Sequence, residues 1–302
     1  MNLPTIRQMI VSTGFCSYDE IQNLSIMKAG MTNHSYSFCV NNRKYIMRIP
    51  GEGTAQLINR RAEYEVYSKI NQLDISEEVH FFDPETGIKI ASFIENSRPC
   101  DANDLGDIQI CMNELRHFHN RKLCVSYQFD LWGQLEYYES LLEGQPSCHS
   151  DYRETKKAVF GMREFIEKNA CERTLCHIDS VPDNFLFEKR GDDSVKVRLI
   201  DWEYAGMQDP HVDIAMFAVY SMYERKEVDR LIDAYFPEGC SCLTRMKIYC
   251  YIAVSGLLWS NWCEFKRKCG VEFGSYAQRQ YDYAKEYTAY FYGEYGSHYK
   301  IT

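Results

Sequence analysis

The chain lacks any C-x-x-C pair, and its thirteen cysteines are an odd number. The nearest two, Cys240 and Cys242, are separated by one residue. That scatter excludes the common zinc-ligand spacings, and the odd count excludes a complete set of disulfides. Buried, reduced thiols in a cytoplasmic protein are therefore expected. Basic charge is also short. The 34 Lys+Arg stand against 43 Asp+Glu, a formal charge of −9, which argues against a nucleic-acid backbone as partner. Long apolar runs are missing too. The start, MNLPTIRQMI, does not read as a secretory signal. The greasiest stretch, residues 247–264, is too short for a bilayer and carries Tyr, Ser and Asn. It reads as a buried helix, so no membrane partner is expected. No repeat or low-complexity tract breaks the chain. The 302 residues, 45% hydrophobic and 25% charged, have ordinary globular composition and enough length for one large domain or two lobes.

Periodicity divides the chain. Residues 24–49 read as strands: LSIMKA, the loop GMTNHS, YSFCV, the turn at Asn41, Asn42 and Arg43, then KYIMRI. Alternation in the last strand puts Tyr45, Met47 and Ile49 on one face and Lys44, Ile46 and Arg48 on the other. Residues 54–72 change period, and Leu57, Ile58, Tyr64, Val66, Tyr67 and Ile70 suit an amphipathic helix. EVHFF, DPETG and IKIASFI form a second hairpin pattern at 78–94. Asp104 is placed to cap a helix carrying Leu105, Ile108, Met112, Leu115 and Phe118. Helical patterns then dominate, pausing at 174–204, where NFLFE and VKVRLID look like short strands. The seam lies in ENSRPC, residues 95–100, and the expected division is an N-terminal lobe over 1–95 and a C-terminal lobe over 96–302.

The chemistry is concentrated in LCHIDSVPDNFLF, where His177, Asp179 and Asn184 stand as H-x-D-x-x-x-x-N. A short strand follows and ends on Asp201, with Trp202 and Glu203 next. Phosphoryl transfer needs a carboxylate to orient and deprotonate a hydroxyl, and oxygen ligands for Mg²⁺ on the nucleotide phosphates. Asp179, Asn184 and Asp201 are residues of those kinds in that order. Protein kinases share the spacing with D-F-G as the second element. Here I-D-W-E stands in its place, which shifts the reading to small-molecule kinases.

These segments, with LIDWEYAG and DPHVDIA, resemble the choline/ethanolamine kinase family within the aminoglycoside phosphotransferase and protein-kinase-like superfamily. The resemblance is strongest to bacterial choline kinases of the LicA type and runs from about residue 28 to about residue 290. It implies a bilobal α+β kinase-like fold, with a small β-rich N-lobe and a larger α-helical C-lobe. ATP and Mg²⁺ would be the cofactors. It further implies Asp179 as catalytic base, His177 as the residue ordering its loop, and Asn184 and Asp201 as Mg²⁺ ligands. Asp213 would support the catalytic loop from below, and Glu203 would reach a metal-bound water. Gly30, Thr32 and Asn33 lie where the family cradles phosphates on backbone N–H groups. Arg48 stands where protein kinases carry Lys, with Lys44 as the rival cation, and Glu63 would pair with it or serve Arg60 one turn away. Phe93 and Ile94 would border adenine.

The acceptor is read from aromatics, 14% of the chain, which cluster in its last third. A quaternary ammonium is held by ring faces and nearby carboxylates. Trp259 and Trp262 are spaced to share a helix face. GLLWS resembles the segment bearing the family's cage tryptophan, Tyr204 matches a tyrosine near the choline site, and Tyr220 is a further candidate. The expected partner is thus a small choline-like alcohol. Glu264 and Asp282 keep open an aminoglycoside, ethanolamine or other alcohol acceptor. A non-catalytic kinase-like binding module is the second alternative, and the sequence sets no oligomeric state.

Overall fold

A computed structural model describes residues 2–27, 33–51, 53–191 and 194–295. The chain opens with helix α1 (Leu3–Ser12) and strands β1 (Gln22–Ile26), β2 (Asn33–Val40) and β3 (Arg43–Pro50). Helix α2 (Arg60–Ile70) follows, then β4 (Val79–Phe82), β5 (Lys89–Ser92) and β6 (Ser97–Pro99). Next come α3 (Leu105–His119), α4 (Leu131–Ser140), α5 (Tyr152–Gly161), α6 (Arg163–Lys168) and β7 (Thr174–Cys176). Strands β8 (Phe185–Lys189), β9 (Val195–Leu199) and β10 (Gly206–Gln208) precede α7 (His211–Tyr220), α8 (Arg225–Tyr235), α9 (Cys242–Lys268) and α10 (Ser275–Tyr295). No helix among the described residues is long and apolar enough to cross a membrane.

By contacts the chain forms two units, residues 1–100 with 183–205, and residues 101–182 with 206–302. A linear division at 95 differs from this in placing 96–100 and 183–205 with the second part. The segment joins the first unit because β8 pairs antiparallel with both β6 and β9, and the Leu199 N–H donates to the Ile75 carbonyl at 2.9 Å.

In the first unit a five-stranded sheet runs β1-β2-β3-β5-β4. Asn41 and Asn42, at φ 50° and 62°, make the two-residue turn that fixes Val40 opposite Arg43. Asn tolerates the left-handed region that such a turn requires. The expected alternation follows from that register: Tyr45, Met47 and Ile49 are buried, and Met47 packs with Phe38, Ile90 and two isoleucines of α1, Ile6 and Ile10. Helix α1 was not expected from the sequence, because its core contact rests on little more than those two residues. Helix α2 starts at Arg60, capped by the Asn59 side chain, and not at 54, where residues 54–56 make a 3-10 turn. Tyr64 is exposed on its outer face. The Asp104 cap on α3 is present, accepting from the N–H groups of Gly106 and Asp107, although Leu105 is exposed.

The second unit is built around α9, whose residues from Met246 to Lys266 are buried, as the composition of that stretch implies. Gly256 lets α10 approach: a Cβ there would lie 2.5 Å from the Gln280 carbonyl oxygen. All thirteen cysteines are free thiols, but five of them, Cys124, Cys148, Cys171, Cys242 and Cys269, are exposed, so the expected burial holds for only some.

Candidate active site

In the second unit, β7 leads into the loop that carries His177 and Asp179. The loop is gripped from α7. The Asp213 carboxylate, fully buried, accepts from the His177 N–H at 2.8 Å and from the Ile178 N–H at 2.7 Å. The Ser180 hydroxyl donates to the Asp213 carbonyl at 2.7 Å, and the Val181 N–H closes a tight turn on the Asp179 carbonyl. The supporting role expected for Asp213 is thus present in the geometry. Ile178 sits at φ 67°, a conformation a β-branched residue holds only at a cost of about 1–3 kcal/mol. The bonds to Asp213 offset that strain and hold the backbone on either side of Asp179. The sequence reading missed His119, from the end of α3, whose Nε2 lies 2.9 Å from Asp213 Oδ2 and whose Nδ1 lies 2.8 Å from the Tyr235 hydroxyl.

The same unit holds a row of rings. Tyr220 and Trp259 lie 5.3 Å apart by centroids, Trp259 meets Trp262 edge-on at 6.0 Å, and Trp262 meets Phe273 at 5.2 Å. Phe273 meets Tyr276 at 6.4 Å. Burial above all, with the Cys263 and Asp179 groups nearby, pushes the Tyr276 phenol well above its ordinary range. Trp259 and Trp262 are therefore in one cluster with Tyr220, and the row leads to the neighbourhood of Asp179. Tyr276 was visible in the sequence only as one of the aromatics concentrated in the last third, without an assigned role, and Phe273 was missed. Glu264 is turned elsewhere, accepting from Ser147 and Cys148.

In the first unit, the turn Pro182–Asn184 and β8 place Asn184 beside the end of β9. The Ile200 N–H donates to the Asn184 carbonyl at 2.9 Å, so Asn184 and Asp201 stand at the same end of a paired hairpin. Asp201 takes φ 63°, the second non-glycine residue of the expected set or its neighbours in the left-handed region. Its side chain is about a third exposed and lies 3.2 Å from Arg48 Nη1. Amide and carboxylate oxygens are the hard donors that Mg²⁺ prefers.

Arg48 is buried at the centre of a carboxylate cluster. It pairs with Glu63 through Nη2, with Asp201, and with Glu203 at 3.5 Å. Burial would weaken its proton affinity, but these three carboxylates outweigh burial and raise it. Glu63 serves both expected partners, since Arg60 Nη1 lies 2.8 Å from its second oxygen. Glu203 accepts from Asn33 Nδ2 at 2.9 Å and from Arg60 Nη1 at 3.1 Å. Burial would raise the Glu203 carboxyl; Arg48 and Arg60 prevail and hold it below its ordinary range. Lys44 is not in this cluster: its ammonium sits 3.8 Å over the Phe93 ring. Phe93 and Ile94 are half-buried after β5, and Tyr204 is buried in the same unit. Gly30 and Thr32 lie outside the described residues.

Comparison with known proteins gives a consistent answer. The sequence pattern of the choline/ethanolamine kinase family matches residues 24–231. Protein LicA of Haemophilus influenzae is 31% identical over 271 residues, covering 84% of this chain and 77% of that protein. The crystal structure of choline kinase LicA from Streptococcus pneumoniae superposes with a TM-score of 0.80 at 27% identity, covering 95% of this chain and 99% of that one. A LicA structure in complex with AMP superposes with a TM-score of 0.78 at 28% identity, covering 95% of this chain and 98% of that one. The fold is the expected kinase-like α+β one, with a β-sheet in the N-terminal region and helices dominating the C-terminal region.

Proposed function

This chain belongs to the choline/ethanolamine kinase family of small-molecule kinases, and from that premise we propose that it transfers the γ-phosphoryl group of ATP to the hydroxyl of choline or a related amino alcohol. The observation that carries the choice of acceptor is the row of rings from Tyr220 through Trp259 and Trp262 to Tyr276, in the unit that holds Asp179. A quaternary ammonium offers no N–H to a carboxylate, and ring faces are what attract it.

Asp179 is assigned as the base that orients and accepts the proton of the alcohol. The Asp213 bonds to His177 and Ile178 hold the backbone beside it. That arrangement supports positioning, which supplies much of phosphoryl-transfer catalysis. Asn184 and Asp201 are assigned as ligands of Mg²⁺, which would neutralise phosphate charge when bound. Arg48 is assigned to the phosphates, with Glu63 holding it in place, and Asn33 is tied to the same cluster through Glu203. The structure of a relative with AMP supports an adenine nucleotide as donor. The free thiols are in keeping with a reducing, cytoplasmic compartment.

A coupled ADP-release screen with ATP and Mg²⁺ across choline, ethanolamine, thiamine and aminoglycosides tests the proposal. Choline should give the highest kcat/KM. A preference for an aminoglycoside, or nucleotide binding without turnover of any alcohol, would overturn it.

A further inference from the structure

Glu264 is a buried carboxylate on α9. Its side chain is only 6% exposed, yet among the described residues no lysine or arginine forms an ion pair with it. It accepts from the Ser147 hydroxyl at 2.5 Å, from the Cys148 N–H at 3.3 Å and from the Cys148 thiol at 3.3 Å. His149 Nε2 lies 3.8 Å away. Arg267, one turn further along α9, hydrogen-bonds the Cys148 thiol and attracts Glu264 without forming an ion pair with it. A charge kept out of water is normally paired.

We propose that Cys148, His149 and Glu264 form a zinc site. Thiolate, imidazole and carboxylate are the donors Zn²⁺ takes, at about 2.3, 2.0 and 2.1 Å, which sets the edges of a tetrahedron at about 3.3–3.6 Å. The distances of 3.3 Å from Cys148 Sγ to Glu264 and 3.8 Å from His149 Nε2 to Glu264 lie near those edges, and the three donor atoms are all within 4.8 Å of one another. The imidazole is already held in place. His149 stacks on Tyr281 with centroids 3.6 Å apart and planes at 4°, and the Tyr281 hydroxyl is anchored at 2.8 Å to both Asp151 and Thr155. Cys148 is exposed, so metal and water have access. On binding, the Cys148 thiol gives its proton to solvent, and thiolate plus carboxylate then balance the two positive charges.

A second group of similar composition, Cys171, Asp209 and His211, already holds a direct ion pair. Lys247 already lies 2.6 Å from Asp209 and 3.4 Å from Cys171 Sγ, and a divalent ion there would face an ammonium. The bound metal at Cys148 would tie the segment between α4 and α5 to α9, two residues beyond Trp262.

The test uses the full chain stripped of metal, in excess Mg²⁺ to fill oxygen-only sites. Zn²⁺ is titrated against a chromophoric chelator, and Co²⁺ is used as a spectroscopic probe. One Zn²⁺ per chain should bind with release of protons, and the Co²⁺ form should show a thiolate-to-metal charge-transfer band. Cys148→Ser should abolish the band, and His149→Gln should weaken Zn²⁺ binding by at least about tenfold. Cys171→Ser should change neither. Both loop variants can be checked for folding by their metal-free melting temperature, so failure of a Glu264→Gln protein to fold would not blunt the test. Absence of one-to-one binding, a band that survives Cys148→Ser, or a band lost in Cys171→Ser would overturn the proposal.

Discussion

His119 and Asp213, 94 residues apart in sequence, meet at 2.9 Å beneath the loop that carries Asp179. A carboxylate can only accept, so His119 donates Nε2–H to Asp213, and its Nδ1 is hydrogen-bonded to the Tyr235 hydroxyl at 2.8 Å. The ring thus fixes the orientation of an aspartate whose oxygens hold two successive N–H groups of the loop. His119→Ala should leave the Tyr235 hydroxyl without its buried partner and let Asp213 swing. The expected cost is about 1–3 kcal/mol of stability. Turnover should fall while KM for ATP changes little, and Tyr235→Phe should show a weaker version of both effects. Thermal melts and steady-state kinetics decide; equal kcat in all three proteins would remove His119 from the support of the loop.

Asp179→Asn preserves shape and removes the carboxylate. General-base catalysis contributes about 10²–10⁴-fold, and turnover should fall in that range. Nucleotide affinity, measured by calorimetry with a non-hydrolysable analogue, should stay within a few-fold. Near-normal turnover would sink the assignment of Asp179 as base.

Arg48 faces Glu63, Asp201 and Glu203 with its own side chain 6% exposed. Arg48→Met should therefore strand buried negative charge, at a cost of about 3–5 kcal/mol. Glu63→Gln should cost less, because Arg48 keeps two other carboxylates. In the double variant the losses should be clearly sub-additive. Denaturant melts of the four proteins provide the cycle, and strict additivity would show that the pair acts independently.

What could be read from the sequence depended on distance along the chain. The Asn41–Asn42 turn, the alternation around Met47 and the Asp104 cap are local, so their residue types announce them. Glu63 was named as a partner of Arg48 only through the family resemblance, with Arg60 as its alternative, and it pairs with both. The 183–205 segment was harder to place, because its pairing with β6 joins residues as distant as Ser97 and Glu188. His119 was invisible for the same reason. A histidine at the end of an amphipathic helix carries no sign that an aspartate on α7 will face it. Glu203 showed another limit: the sequence suggested a metal-bound water, and only the packing revealed Asn33 and Arg60 as its partners.

His211 couples stability to pH. Burial first, then Lys247 and His119, push its imidazole down to about 4, while Asp209 opposes them. Cys171, Tyr235 and Phe236 complete its surroundings. An unfolded histidine titrates near about 6.5. Between about 4 and 6.5 the unfolded chain binds more protons than the folded one, so stability rises with pH across that window and is lost as pH falls. The full shift corresponds to at most about 3 kcal/mol. Urea melts from pH 7 to pH 4 should show this loss, and His211→Asn should flatten the slope. A variant with the wild-type slope would assign the pH dependence to other groups.

The row of rings gives the most discriminating prediction. Trp259 is 3% exposed, and its indole N–H points at Met216 Sδ, 3.0 Å away. Trp259→Ala would remove packing worth about 3–5 kcal/mol and confuse a binding test with a folding defect. Tyr220 is half-buried against Trp259, so its ring can be changed with less damage. If ring faces hold a quaternary ammonium, Tyr220→Leu should raise KM for choline by a factor reflecting about 0.5–2 kcal/mol, while Tyr220→Phe keeps most of the effect. Trp259→Phe should also weaken choline binding, with melting temperature read alongside. Ethanolamine can donate hydrogen bonds through its ammonium, so its KM should move less than that of choline in every variant. KM for ATP should not change. The ratio of the two alcohols' KM values is the decisive quantity, because a general loss of folding would shift both together. A choline-to-ethanolamine ratio unchanged in well-folded Tyr220→Leu and Trp259→Phe proteins would remove the ring row from head-group recognition and favour a carboxylate-lined pocket for a primary amine.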